Sequence, residues 1–264
     1  MTQDYKEIAQ LQKRWVDELN KVTVAPVMVS EAQSDGVTPS IRYYARDHDW
    51  RFPYQYRRCL PNELFFDIDV RDWDIVRFLT NNLTAKLDEL NVPYELAGSG
   101  GKGTHIHVFF KAIPLIRDYG FRQVREKLWA YVMDDMEIME TMRGPGKPFC
   151  NATILCGDSS MFGKVMREFG GSKGKNRKTI IDSVPEKKED VYEGDTVFPA
   201  GVKVWDIPMD VFNNMELKTK NYTLNCDYCA VDPGFAYEQA HYMDDWGRLK
   251  VKSYICSSCE GRDW

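Results

Sequence analysis

Two short stretches of this sequence carry side chains with chemistry to offer: "LFFDIDV" over residues 64–70 and "AGSGGKGTHIHVFF" over residues 97–110. On a strand, residues two apart share a face, so Asp67 and Asp69 point together while Phe66 and Ile68 point the other way. Carboxylates fixed side by side repel one another, and the usual remedy is a divalent cation or a shared proton. A D-x-D at a strand end also serves as a turn or a helix cap. Here the apolar lead-in argues for more, because a buried strand that ends in paired acids needs a reason. In the second stretch, Gly98, Gly100, Gly101 and Gly103 let the backbone approach a ligand closely and turn its N–H groups toward an anion, with Lys102 adding charge. His105 and His107 follow on one face. A plain glycine hairpin with a structural histidine has the same composition, and its placement beside the D-x-D is what favours function.

Two further groups bear on chemistry. Residues 164–178 hold Lys164, Arg167, Lys173, Lys175, Arg177 and Lys178 against one acid, Glu168, in an otherwise acidic chain. A charge run by itself is a solvated loop; beside carboxylates it reads as a grip for phosphates. "CDYC" and "CSSC" supply Cys226, Cys229, Cys256 and Cys259, a set suited to tetrahedral Zn²⁺ in a closed, structural site. Neither pair sits in a thioredoxin-like context that would favour redox chemistry. Arg248, Lys250 and Lys252 beside the second pair permit a nucleic-acid role, and Cys59, Cys150 and Cys156 read as ordinary buried thiols. Between residues 40 and 60, "SIRYYARDHDWRFPYQYRRCL" mixes arginines with aromatics. Such a mixture stacks bases and holds phosphates, or forms a β-region with a snorkelling rim; both readings stay open.

The elements that must position these groups follow from periodicity. Ile8, Leu11, Trp15 and Leu19 have helical spacing, and "VTVAPVMVS" after them is strand-like. "LFFDIDV" is a strand; "DWDIVRFLTNNLTAKLDEL" is a helix with Val76, Leu79, Leu83 and Leu87 on one stripe; "VPYEL" and "THIHVFF" are strands; "FRQVREKLWAYVMDDMEIMETM" is a helix; "NATILC" is a strand. The order β-α-β-β-α-β is the split unit of ferredoxin-like and RNA-recognition-motif folds, predicted over about residues 62–158. Its third strand lies between the first and second, which brings His105 near Asp69. Beyond it come a basic loop, "SKGKNRK", a strand through "VKVWDI", and the cysteine-bearing tail from residue 221. The expectation is an α+β protein with an N-terminal α/β unit, a main domain over residues 1–220 and a zinc-binding tail over 221–264.

With 264 residues and 43% hydrophobic content the chain can bury a sizeable core. A net charge of −5 argues against a protein that coats polyanions wholesale, though not against one local groove. No secretory leader and no apolar run of membrane-spanning length stands out, so the expectation is a soluble protein of the cytoplasm or nucleus, not secreted and with no membrane partner.

Taken together, the motifs resemble the archaeo-eukaryotic primase superfamily, which includes replicative primase catalytic subunits and primase-polymerases. Its first motif, an apolar strand ending in two spaced acids, looks like "FFDIDV" and implies Asp67 and Asp69 as metal ligands. Its second, a serine and glycine with a histidine six residues after the serine, is similar to "SGGKGTH" and implies Ser99, Lys102 and His105 as nucleotide contacts, with His105 also catalytic. His107 has no counterpart there and is read as structural. The third motif, an acid after an apolar strand followed by a basic strand and a serine-lysine loop, looks like "ILCGDSSMFGKVMREFGGSKGKNRK". It implies Asp158 as third metal ligand, with Arg167, Ser172, Lys173 and Lys175 on the nucleotide. A fourth strand antiparallel to the first carries Asp158 away from Asp69, so that residue rests on the resemblance or on a bend at "CGDSS"; Asp182 is the rival third acid.

The resemblance, which spans roughly residues 40–180, implies a primase-polymerase catalytic fold around the RNA-recognition-motif-like unit. It implies two Mg²⁺ or Mn²⁺ ions, nucleoside triphosphates, a single-stranded DNA template and a primer. Two ions about 3.5–4 Å apart can stabilise both the attacking and departing oxygens of nucleotidyl transfer. No helicase motor is evident, so a helicase or an accessory primase subunit is the expected partner. The competing readings are a repair-type polymerase that only extends ends, a non-catalytic module that binds single-stranded nucleic acid with a zinc ribbon, and a metal-dependent nuclease.

Overall fold

The structure, a computed structural model of the 264-residue chain, describes residues 4–23, 27–30, 43–60, 62–69, 72–111, 124–125, 127–133, 154–155, 165–213, 236–240 and 252–256. Helix α1 (Tyr5–Val22) starts at Asp4, whose side chain accepts from the Lys6 amide, and buries Ile8, Ala9, Gln12, Trp15, Val16 and Leu19. Gln12 takes the interior place expected of Leu11, for a polar reason. Its Nε2 donates to the carbonyls of Tyr54 at 2.9 Å and Phe169 at 2.7 Å, and its Oε1 accepts from the Tyr54 amide at 3.0 Å. One buried amide thus ties the helix to two distant segments without an unpaired group.

Strands β1 (Met28–Ser30), β2 (Tyr43–Tyr44) and β3 (Tyr56–Arg58) belong to a first, antiparallel sheet. The arginine-aromatic segment is therefore partly interior: Tyr54, Tyr56, Arg57 and Arg58 are buried, whereas Arg51 and Phe52 are exposed.

Strand β4 (Glu63–Ile68) begins the second sheet. Helix α2 (Trp73–Glu89) follows, capped by Asp72, whose carboxylate accepts from the Asp74 amide at 3.0 Å. Its buried stripe includes Val76, Leu79, Leu83 and Leu87, as the spacing predicts. Strands β5 (Glu95–Gly98) and β6 (Thr104–Phe110) come next, then helical residues 124–125 and 127–133 (α3), then β7 (Ile154–Leu155). The chain goes on through β8 (Val165–Arg167), β9 (Ser172–Lys173), β10 (Asn176–Arg177), β11 (Thr179–Ile180), β12 (Val204–Trp205) and the short α4 (Met209–Asn213), to a hairpin of β13 (Ala236–Ala240) and β14 (Lys252–Cys256). The basic loop "SKGKNRK" is thus largely a hairpin, β9 with β10.

The second sheet has the order β11-β5-β6-β4-β7, antiparallel throughout, with β12 joined parallel to β6. Its β4, β5, β6 and β7, with α2 and α3 between them, follow the predicted β-α-β-β-α-β order. The first sheet runs β2-β1-β3-β8. The protein is α+β with antiparallel sheets, and no described helix is long and apolar enough to cross a membrane.

Strand alternation divides the interior. Leu64, Phe66, Ile68, Ile106, Val108 and Phe110 pack with α2 and with Val124, Leu128 and Val132 of α3. The opposite face of the same strands carries Glu63, Phe65, Asp67, His105, His107 and Phe109. Phe109 there packs with Trp15, Leu19, Val29, Tyr54 and Phe169. Every chemically active residue of β4 and β6 therefore lies on the face turned away from α2 and α3.

Candidate functional site

Asp67 stands directly opposite His105 in the antiparallel pair of β4 and β6, with Oδ1 3.4 Å from Nε2. The sequence expectation put His105 beside Asp69. Because β6 starts at Thr104, which faces Ile68, the histidine lies one pair further in and meets Asp67 instead. Asp69 follows the end of β4, exposed, next to the glycine loop. Burial pushes His105 down to about 4, Lys178 adding to the effect and Asp67 opposing it. Burial acts to raise Asp67, but the His105 hydrogen bond and the charges of Lys178 and Arg167 outweigh it and hold the carboxyl below its usual range. The Nδ1 of His105 is buried and without a hydrogen-bond partner among the described residues.

The loop from Ser99 to Gly103 closes on itself. The Ser99 amide donates to the Gly103 carbonyl at 3.0 Å, and Ser99 Oγ accepts from the amides of Gly101 at 3.2 Å and Gly103 at 3.3 Å. With its oxygen facing two N–H groups, the hydroxyl hydrogen is left to donate elsewhere. Gly100 has φ of 74°, a left-handed conformation that side chains disfavour. Gly103 lies so close to the end of β4 that a β-carbon would overlap the Ile68 carbonyl. The loop is thereby held flush against the strand that carries the aspartates. Lys102 is exposed on it.

The basic window reaches this loop from the first sheet. Arg167, the last residue of β8, donates from Nη1 to the Ser99 carbonyl at 2.8 Å, and its Nε is buried without a partner. Lys173 of β9 arches over Gly101, with Nζ 3.6 Å from the position a β-carbon would take. Ser172 is engaged elsewhere: its amide and hydroxyl both donate to Gln55 Oε1, at 2.6 and 3.2 Å. Lys175 is exposed at the hairpin turn.

Asp158 lies outside the described residues. Leu155 of β7 faces Asp67, and the strand is antiparallel to β4, the geometry that made Asp158 difficult from the sequence. Its rival Asp182 is exposed just past β11. Ile180, Ala97, His105 and Asp67 form one row across the sheet, which sets β11 three strands from β4. At about 4.8 Å per strand that is roughly 14 Å, too far for Asp182 and Asp67 to share an ion from their present positions. Among the described residues, no three His, Cys, Asp or Glu side chains cluster as metal ligands. Of the cysteines, Cys59 is buried as expected. Cys256 falls at the end of β14, opposite Ala236, while Cys150, Cys156, Cys226, Cys229 and Cys259 lie outside the described residues.

Sequence reasoning missed what lies directly beneath. Arg57 donates to both carboxylate oxygens of Glu63 at 2.6 Å and pairs through Nε with Glu168. Glu63 is 2.6 Å from His107 Nδ1, and His107 Nε2 is 2.6 Å from Lys178 Nζ. An ammonium only donates, so His107 accepts at Nε2 and donates from Nδ1 to Glu63. All five side chains have 0% exposure. Two carboxylates are matched by two cations, as burial requires. Burial opposes charge on Glu63, yet Arg57 and His107 hold its carboxyl well below the usual range. Burial pushes Lys178 down to about 7, with Glu168 opposing and Arg57 adding. His107, expected to be structural, is the link between the acids of β4 and the basic window. One signal was present: Glu63 precedes Asp67 by four residues and so shares its face.

The geometry offers a half-exposed acid beside a neutral imidazole, at the edge of a tight loop overlooked by Arg167 and Lys173. It suits an anion that also carries or recruits a cation. The sequence matches no protein-family model, and no curated protein matches it.

Proposed function

We propose that this chain is a DNA primase or primase-polymerase, a nucleotidyltransferase that makes or extends primers on a single-stranded DNA template from nucleoside triphosphates. The observation that carries this reading is the convergence of Asp67, His105 and Arg167 on the Ser99–Gly103 loop. The order of the three resembling motifs along the sequence supports it. Arg167 and Lys173 grip the triphosphate, the Ser99 hydroxyl donates to it, and Lys102 and Lys175 extend the positive charge outward. Buried donor positions without partners, such as Arg167 Nε, call for an acceptor-rich ligand. His105 orients Asp67 by donating from Nε2, and its unprotonated Nδ1 is left to accept from a hydroxyl of the ligand.

The oxygen donors Asp67 and Asp69 suit Mg²⁺ or Mn²⁺, hard cations that take a few carboxylates together with substrate phosphates. Asp67, Asp69 and, on the motif resemblance, Asp158 would hold two such ions, which when bound stabilise the attacking and departing oxygens. Cys226, Cys229, Cys256 and Cys259 would hold a structural Zn²⁺. A partner opens the duplex where the template is double-stranded.

The test is a template-directed assay with labelled ribo- and deoxyribonucleotides, with and without a primer, comparing the wild type with Asp67→Ala. Synthesis should be lost in the variant while its folding is retained. Product formed equally by both proteins overturns the site. Extension without initiation identifies a polymerase that only lengthens ends, and binding of single strands without synthesis by the wild type identifies a non-catalytic module.

A further inference from the structure

Lys178 faces a question that charge balance alone leaves open: why the chain buries an ammonium where a neutral side chain opposite one fewer acid would serve. The answer lies in what it holds. Its Nζ donates to the carbonyl of Arg167 at 3.0 Å and to His107 Nε2 at 2.6 Å, and lies 4.6 Å from the Phe169 ring centroid and 5.7 Å from that of Phe65. Its backbone is fixed as well: its amide donates to the Gly171 carbonyl at 2.9 Å, and its carbonyl accepts from the Gly170 amide at 2.8 Å. Lys178 therefore staples both ends of the turn that leaves β8, over residues 167–171. Arg167 is the last paired residue of that strand, facing Tyr56 of β3. From there its side chain crosses to the other sheet and ends on Ser99.

We propose that Lys178 is a positioning residue for anion binding, its buried ammonium locking the Arg167 backbone so that the guanidinium is presented to the Ser99–Gly103 loop. This rests on the nucleotide reading above. His107 and Glu63 complete the device, since the imidazole that receives one Lys178 hydrogen is oriented by the carboxylate on its other nitrogen. The link runs from an acid of β4, through β6, to the arginine of β8, and Glu63, His107 and Lys178, which support that partly buried arginine, are sealed from solvent.

A lysine kept only as counter-charge to Glu63 and one kept to place Arg167 respond differently to a compensated change. Lys178→Met alone leaves one carboxylate unbalanced and unfolds the protein on either view. Glu63→Gln with Lys178→Met removes one charge of each sign; the amide oxygen serves Arg57 Nη2 and His107 Nδ1–H, while the amide nitrogen faces the Arg57 Nη1 and Leu60 donors, at some cost in stability. The experiment titrates inorganic triphosphate and a deoxynucleoside triphosphate, with Mg²⁺, into the full chain by calorimetry, and measures urea unfolding alongside. The proteins compared are the wild type, the double variant, Arg167→Ala and the triple combination. The double variant should remain folded, at a midpoint below the wild-type one, yet bind at least tenfold more weakly, and adding Arg167→Ala to it should weaken binding no further. Wild-type affinity in the double variant overturns the positioning role, as does additive loss in the triple. A double variant that fails to fold also counts against it, since Lys178 is then structural. No binding by the wild type overturns the nucleotide reading itself, an outcome distinct because all four proteins then behave alike.

Discussion

A methyl group at residue 103 would meet the carbonyl oxygen of Ile68, so Gly103→Ala must either shift the end of β4 or open the glycine loop. Overpacking of this kind costs about 1–3 kcal/mol, expected as a lower urea midpoint together with weakened triphosphate binding, because the loop and the aspartates move as one. The histidines set a second expectation at this scale. His105 is held down to about 4 and His107 well below its ordinary 6.5, chiefly by burial. An unfolded chain therefore takes up protons below pH 6.5 that the native one refuses, and stability falls as pH drops from 6.5 toward 4. For His105 the shift is worth roughly 3 kcal/mol, and depressed Glu63 adds its own loss below about 4.5. Denaturant unfolding at pH 7, 5.5 and 4.5 should show the decline, and a flat profile would remove the neutral buried imidazoles from the account. The facing of Asp67 and His105 was nearly legible from the sequence, since period two fixes their face and the strand order fixes their neighbourhood. Only the register, off by one pair, needed coordinates. The partners of His107 were not legible, because Arg57 and Lys178 come from segments about fifty and seventy residues away whose charges gave no sign of facing inward.

Elements read well from the sequence where one local pattern decides them. Helix α2 was visible in its apolar stripe, and the split unit in the order of its elements. The resemblance implied a basic strand where β8 lies, but its pairing with β3 was not legible, because it joins residues more than a hundred positions apart, and nothing near residue 165 announces that partner. Yet β8 supplies Arg167. An arginine presents several N–H groups in a fixed planar fork, whereas a lysine is a point charge on a flexible stem. Arg167→Lys should keep the fold and weaken triphosphate binding about tenfold, read by the same calorimetry; unchanged affinity would mean that charge alone, and not the fork, faces the ligand.

Across the whole molecule the two sheets share an interior crossed by ions as well as by hydrocarbon. Arg57 stands in the first sheet and Glu63 in the second, with Glu168 on the chain leaving β8. Removing one member of a buried ionic group leaves the others uncompensated and typically costs 3–5 kcal/mol. Arg57→Met should therefore lower the free energy of unfolding, read from denaturant titration, by an amount in that range, and a loss under about 1 kcal/mol would show that water or rearrangement relieves the stranded acids. The reach of Arg167 from β8 to the Ser99 carbonyl has a mechanical consequence for ligand binding. A guest held by both the arginine and the glycine loop is a rivet through two plates. Its arrival should slow amide hydrogen exchange in β3 and β8 as much as in β5 and β6, so that occupancy is felt as stiffness by the sheet that carries neither Asp67 nor His105.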